Sequence, residues 1–477
     1  MPFHDKAFWA MVFFLVGVLA ASGVASLRNA PLVIVIVMFL LAGSLFFIGR
    51  QELAIISLFF ICGAGYYAFD DARYHAGVIT IAEHNSFRGI VERTTLGLEK
   101  QDLVVRLAAP QGGRVKITTA RYPEWQYGDE ITFDGKSEPP SGNSAGYLSK
   151  ERIGGLMSFP PIKLLAHNKG NTFKAVLLNI KSSVETSYRR TLSPMHAAFL
   201  SGLILGDTAE FSKEFRQKMS ATGTSHLVAL SGYNVTIIAK SVLAALGVFF
   251  SRRKAIWVAA AAIFAFVVMT GAEASVVRAA IMALIIIIAE HSGRLYSVRN
   301  AVAVAAFIMV IVNPKVLRWD IGFQLSFLAL LGLVYLRPVV AKVFRFASGP
   351  GFLGWRENFL STLSAQLAVL PILILSFGSF SPISLLTNLL ILSAVPATMF
   401  LGAALASASI VSYLFAGAIG LIVSVFLAYE IGVIDLFSRF SAGIHLPVLG
   451  TPFAVVYYAF LGVLIWKMRK KLIYVQN

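Results

Sequence analysis

The residues able to do chemistry in this chain are polar side chains set in long apolar runs. Residues 221–238, ATGTSHLVALSGYNVTII, place His226, Ser231, Gly232 and Asn234 inside an apolar stretch, and Lys240 follows six residues after Asn234. Arg278 stands five residues after Glu273 in GAEASVVRAAIMALIIII. Asp320 and Gln324 lie four apart in DIGFQLSF, a spacing that shares one helical face. Gln366 sits beside Ser361 and Ser364, and Asn388 interrupts SLLTNLL. A charge in hydrocarbon is costly, so such residues face a bundle interior or a water-filled cavity. An irregular Ser–Gly backbone at that depth also has to line protein or water. The chemistry expected is therefore a sparse polar lining that lowers the cost of moving charge, with no catalytic residue. The bland alternative at any single Gln, Asn or Ser is helix–helix hydrogen bonding. Ser231 with His226 or His291 could form a serine hydrolase pair, but nothing orients a histidine five residues before the serine. As an alternative, broken helices and midplane polar residues also fit a small-solute secondary transporter, although no internal repeat is visible.

Metal and cofactor chemistry are not expected. Cys62 is the single cysteine, none of the eight histidines forms an HxHxDH cluster, and no GxxxxGK[ST] loop occurs.

The elements that carry these residues follow from composition. Of 477 residues, 57% are hydrophobic and 14% are charged, with a mean hydropathy of +0.74 and a net charge of +17. Soluble domains carry roughly 25% charged residues, so a polytopic α-helical membrane protein is expected. A span needs about 20 apolar residues. Candidates are 8–26, 32–49, 53–69, 226–250, 255–271, 274–291, 300–313, 320–336, 360–377, 383–411, 417–436 and 452–466, about twelve in all. With both termini in the cytoplasm, the basic clusters at 251–254, 291–299, 337–357 and 467–471 fall on inside loops. The segment 383–411 is long and contains Pro396; two half-helices there would change that parity. Residues 1–26 have signal-peptide features, but two further apolar segments follow at once, so a retained helix is expected.

Four regions result. Residues 1–76 hold three membrane helices. Residues 77–140 alternate with period two at 77–82, 86–94, 102–109, 113–119 and 129–134, with turn signals at Gly112–Gly113 and Tyr127–Gly128–Asp129. Five short strands suit a small OB-type β-barrel, placed outside the cytoplasm by parity. Its aromatics, Phe87, Tyr122, Trp125, Tyr127 and Phe133, could stack bases. However, its eight basic residues face nine acidic ones, and core packing is the favoured role. Residues 141–195 form a basic linker with an amphipathic helix at 173–190. Phe173, Val176, Leu177, Ile180, Val184 and Tyr188 lie on one face of that helix, and Lys174, Lys181, Arg189 and Arg190 lie elsewhere. Such a helix suits a membrane surface, and the four cations are candidates for lipid or nucleic-acid contact. Residues 196–477 form the main membrane domain.

The stretch SGLILGDTAEFSKEFRQKMSATGTSHLVALSGYNVTII, 201–238, resembles the signature of the ComEC-type competence membrane family. ASVVRAAIMAL (274–284), NPKVLRWDIGFQLSFLALLGL (313–333) and STLSAQLAVLPILILSFGSFSPISLLTNLL (361–390) agree with it in order. An N-terminal OB-like domain ending near Tyr147–Leu148 fits too. The resemblance implies a channel in the bacterial cytoplasmic membrane that passes single-stranded DNA during natural transformation. The motif positions it carries over are Gly206, Asp207, Thr222, Gly223, Thr224, His226, Ser231, Gly232, Asn234, Arg278, Asp320, Gln324 and Gln366. Tyr233 and Asn234 depart from the residues common in the family. Long members carry a C-terminal metallo-β-lactamase-like domain, whereas this sequence stops about ten residues after its last apolar segment. A separate nuclease, a DNA receptor and a cytoplasmic ATPase are therefore expected partners, and a homo-oligomer is a further expectation.

Overall fold

The computed structural model describes residues 3–23, 51–82, 84–97, 99–109, 111–230, 232, 234–235, 252–291, 297–344, 354–440, 444–445 and 450–473. The expected span 32–49, most of 226–250, Ser231 and Lys240 lie outside the described residues. The chain divides into two compact units, Met1–Asn179 with Ile281–Asp320, and Ile180–Ala280 with Ile321–Asn477.

In the first unit, helices Phe3–Gly23 and Gln51–Ala82 lie side by side. Gly17 abuts the Phe60 carbonyl and Gly63 abuts the Phe14 carbonyl, so neither position has room for a Cβ. Small residues permit this close backbone approach. The second helix overturns one expectation, because residues 77–82 are helical and not a strand. Six alternating residues suit either state, and tertiary contact decides between them. Ile81 is buried in the core of the β-sheet, and the Tyr74 hydroxyl donates to the Ile153 carbonyl at 2.7 Å.

The sheet has six strands: β1 (Ser86–Leu96), β2 (Lys100–Leu107), β3 (Arg114–Ala120), β4 (Glu130–Asp134), β5 (Ile153–Ser158) and β6 (Ile162–Ala166). Their order is β5-β3-β2-β1-β4-β6, with only β3 and β5 parallel. The last two strands fall in the expected linker, so the β region extends beyond residue 140. The linker's basic residues masked them: Lys163 pairs across from Thr132, and β5 contains Gly154–Gly155. Phe87, Trp125 and Phe133 pack the core with Val91, Leu103, Val105 and Ile117, as period-two alternation requires. Tyr122 is exposed, and the Tyr127 hydroxyl accepts from the Asn171 amide.

Ion pairs join the rest of this unit to its second helix. Lys315 is wholly buried, with its ammonium 2.9 Å from Asp71 and 3.9 Å from the centre of the Tyr74 ring. Burial holds its pKa below the ordinary lysine value, and Asp71 offsets part of the fall. Arg152 pairs with Asp70 at 2.5 Å, and Lys150 bridges Glu151 at 2.7 Å and Asp320 at 3.1 Å. Asn313 donates to the Lys150 carbonyl, and Tyr66 donates to that of Ile311.

The second unit is helical. Helix Pro194–Leu205 is almost entirely enclosed by helices Lys213–Ala221, Val395–Val411 and Tyr413–Ser438. Helix Ile321–Leu331 continues through a π-turn at Gly332–Leu336 into Arg337–Phe344. Helix Trp355–Phe377 follows. The segment expected as one long span is two helices, Ser384–Ile391 and Val395–Val411, bent by 48° at the break. Pro396, in the first turn of the second helix, cannot donate back across that break.

By length and composition, five helices among the described residues can cross a bilayer, or six if the bent pair counts as one span. These are Asp5–Gly23, Ile55–Ile81, Ile321–Phe344, Trp355–Phe377 and Tyr413–Ser438. Four other expected spans appear as shorter apolar helices, Trp257–Met269, Ala274–Ile286, Val298–Val312 and Pro452–Met468.

The Lys315–Asp71 pair carries a direct prediction. Asp71→Leu leaves a buried ammonium uncompensated and should cost about 3–5 kcal/mol, whereas Asp71→Leu with Lys315→Met should recover most of that. Thermal unfolding of the detergent-solubilised protein, followed by tryptophan fluorescence, measures both. A double variant as unstable as the single one would show that the pair does not hold this segment.

Candidate functional site

The first motif is built by two helix ends. Helix Pro194–Leu205 starts with Ser193 as N-cap and stops at Gly206, a left-handed cap (φ +74) whose N–H donates to the Gly202 carbonyl at 3.1 Å. Asp207 follows and accepts the Ala209 amide at 2.9 Å, which closes a local turn. Helix Lys213–Ala221 then begins at Ser212, whose hydroxyl accepts the Phe215 amide, while Arg216 donates back to the Thr208 carbonyl at 2.7 Å. Asp207 is thus held by a short, stapled loop.

The helix ends in Thr222–Gly223–Thr224. Both threonines are buried, and their hydroxyls are 2.9 Å apart. Thr222 also donates to the Lys218 carbonyl at 2.8 Å. Gly223 has φ +67, and a Cβ there would collide with Ser384, so backbone conformation and close approach both demand glycine. Ser384 opens the first half of the broken helix. Its hydroxyl donates to the Ser381 carbonyl at 2.6 Å and accepts from the Gln366 amide at 2.8 Å. Gly223, Gln366 and Ser384 are therefore brought together from three separate segments. His226 is exposed, with Nδ1 3.0 Å from the Gly223 carbonyl, so that nitrogen carries the proton.

A second polar group gathers around Arg278. Its guanidinium donates to the Ser326 carbonyl, lies 5.7 Å from the centre of the Phe327 ring and approaches Gly232. Its Nε has no hydrogen-bond partner among the described residues. Ser275 donates to the Leu230 carbonyl, and buried Asn234 donates to that of Leu203 at 3.0 Å. Asn234 thereby ties its own segment to helix Pro194–Leu205. Gln324 is half-buried on helix Ile321–Leu331.

Asp320 and Gln324, expected on one helical face, are placed on either side of a helix start. Asp320 is extended (φ −108, ψ 98) and precedes that helix. Its carboxylate pairs with Lys150 in the first unit at 3.1 Å.

The four cations of helix Thr172–Thr191 also have partners within the protein. The Lys174 ammonium donates to the Glu92 carbonyl at 3.1 Å and lies 4.6 Å from the centre of the Tyr127 ring. Arg189 pairs with Glu210 at 2.8 Å, and Arg190 donates to the Tyr413 hydroxyl at 2.8 Å. Lys181 lies 3.7 Å from Glu185 and 3.4 Å from Asp207. The apolar face divides: Leu177 and Tyr188 are buried, while Phe173, Val176 and Ile180 are about half exposed.

Three features are not legible in the sequence pattern. Ser384 looks like an ordinary helix-opening serine and becomes a hub only through Gly223 and Gln366. Glu430 sits wholly buried in an apolar helix, one carboxylate oxygen 2.7 Å from the Thr398 hydroxyl and the other without a partner among the described residues; a lone acid in an apolar run is its one available signal. Glu185 is hidden among basic neighbours. Its burial pushes its pKa up to about 7; Lys181 opposes the rise and Asp207 adds to it. No group of three or more His, Cys, Asp or Glu among the described residues could hold a metal ion.

Residues 203–471 match the protein family described as Competence protein. Over 225 residues the chain is 29% identical to ComE operon protein 3 of Bacillus subtilis (strain 168). That stretch covers 46% of this chain and 27% of the relative, so the match spans about a quarter of the relative's length. No solved structure matches the chain.

The Glu185 cluster predicts a pH dependence. A raised acid contributes stability that is full below its unfolded pKa of 4.5 and is lost as pH climbs through about 7. Glu185→Gln should flatten the melting temperature across pH 4.5–7, removing a slope worth up to about 3 kcal/mol at 1.36 kcal/mol per pKa unit. An unchanged slope would mean that another group titrates there.

Proposed function

Because the chain belongs to the competence-protein family, we propose that it is a multi-pass protein of the bacterial cytoplasmic membrane that conducts single-stranded DNA in natural transformation. The observation that carries this reading is the break between Ser384–Ile391 and Val395–Val411, adjoining the Gly223, Gln366 and Ser384 contact. Discontinuous helices put backbone dipoles and polar side chains at membrane depth, where moving charge has to be met. A phosphodiester chain cannot enter hydrocarbon uncompensated. Arg278 would meet it with one cation, and Gln366, Gln324, Asn234 and His226 would add neutral hydrogen-bonding groups. Conduction also needs weak binding at several sites, which a lining poor in fixed charge supplies. In this reading the chain catalyses no covalent step.

We read the β-sheet as an OB-like domain outside the cytoplasm. The β1–β4 pairing, the parallel β3–β5 pairing and a bridge between Glu138 and Leu156 support that reading. The partners proposed with this reading are a DNA receptor, a nuclease and a cytoplasmic ATPase.

The test is transformation with labelled DNA in a deletion strain carrying each variant at matched protein level. Arg278→Ala should lower uptake at least tenfold, and Arg278→Lys should restore part of it. Uptake equal to that of the unmodified protein in Arg278→Ala would remove Arg278 from the path. A deletion strain that transforms normally would overturn the DNA reading as a whole.

A further inference from the structure

The first unit contains a cavity of about 400 Å³ between the C-terminal part of helix Gln51–Ala82 and the β-sheet. Asp70, Arg73, Tyr74, Gly77, Arg114 and Arg152 are among the residues that line it. Its charges do not cancel. Arg152 is taken by Asp70 at 2.5 Å, and Arg114 by Glu92 at 2.7 Å. Arg73 is exposed and has no carboxylate partner among the described residues. Glu92 also holds Arg106 at 3.0 Å, so the lining is left net positive, and the Arg73 guanidinium has a planar fork that suits a phosphate oxyanion.

The surroundings narrow the ligand. Helix Gln51–Ala82 is apolar through Phe69 and then turns polar at DDARYHA, residues 70–76. In the membrane reading proposed above, the cavity follows the end of that apolar run. Phe69, Arg73 and Gly77 succeed one another at four-residue intervals on one helical face. Phe69 is 68% exposed, and a Cβ built on Gly77 meets nothing within 4 Å. That face thus offers an apolar surface, then a cation, then open space. We propose that this cavity binds the phosphodiester headgroup of an anionic phospholipid, with the phosphate on Arg73, the headgroup over Gly77 and an acyl chain along Phe69. A DNA strand carries the same phosphodiester and could stack a base on an exposed ring, but Phe69 stands at the end of an apolar helical run, the side of Arg73 that suits an acyl chain. The proposal rests on the membrane location proposed for the chain and not on DNA conduction.

Native mass spectrometry of the full chain extracted from membranes tests it, with phosphatidylglycerol and phosphatidylcholine as probes. The protein should retain one phosphatidylglycerol in preference to phosphatidylcholine. Arg73→Ala should weaken that retention about tenfold. Gly77→Leu should do the same by filling the cavity, with every charge left in place and a better helix former introduced. Arg88→Ala, on the β-sheet and paired with Glu130 at 2.8 Å, should change nothing. Equal retention of the two lipids, or retention unaffected by both cavity variants, would overturn the site. Displacement of the lipid by a short single-stranded oligonucleotide, with the same dependence on Arg73, would assign the cavity to DNA instead. Stabilisation by inorganic phosphate alone, with no lipid retained, would also overturn the lipid assignment. Recovery of the chain outside the membrane fraction would fail the membrane reading itself, a result separate from all of these.

Discussion

The ammonium of Lys315 is out of contact with water, held between the Asp71 carboxylate and the Tyr74 ring. A buried charge is tolerable only when another charge or a set of dipoles meets it. That requirement organises the first unit. It ties the segment around Lys315 to one turn of helix Gln51–Ala82, and the adjacent residue of that turn, Asp70, binds Arg152. Arg152 in turn leads directly into β5. The sheet, the long helix and the 313–320 segment are joined by charge as much as by apolar packing, because so much of this chain's apolar surface has to face outward.

The second unit meets the same constraint with neutral groups. Thr222, Thr224, Ser384, Gln366 and Asn234 satisfy one another or nearby carbonyls over short distances. Glycine at 223 lets the backbone come close enough for this to work. Such contacts give precise placement without strong fixed charge, and they leave Arg278 as the isolated cation of the group. A broken helix beside a polar seam is stable only when its free backbone groups are met by protein or water. The seam and the break therefore belong together.

The net charge of +17 invites a polyanion as explanation, yet the structure distributes it otherwise. On helix Thr172–Thr191, Lys181 and Arg189 are held by carboxylates, while Lys174 and Arg190 rest on carbonyl, hydroxyl and ring partners. Little of that basic segment is left as an open cationic surface. The less crowded cation is Arg73, in a part of the chain whose overall charge attracts no notice.

The sequence by itself determined the helical, apolar class of the protein, four strands of its β-sheet and the order of its motifs. Those properties live in composition, periodicity and local spacing. Residues 86–91 alternate because one face of the strand is buried, and Pro396 marks 383–411 as a segment able to break, since proline has no N–H to donate. The tertiary structure decided what periodicity leaves open. Residues 77–82 alternate like a strand but continue a helix, since Ile81 gains a place in the sheet core. Two strands hid in a basic linker because their pairing partners lie far away in sequence. Asp320 is extended ahead of its helix, with its carboxylate on distant Lys150. Ser384 and Glu185 became notable only when distant segments met them. In each case a non-local contact, absent from any window of sequence, outweighed the local preference.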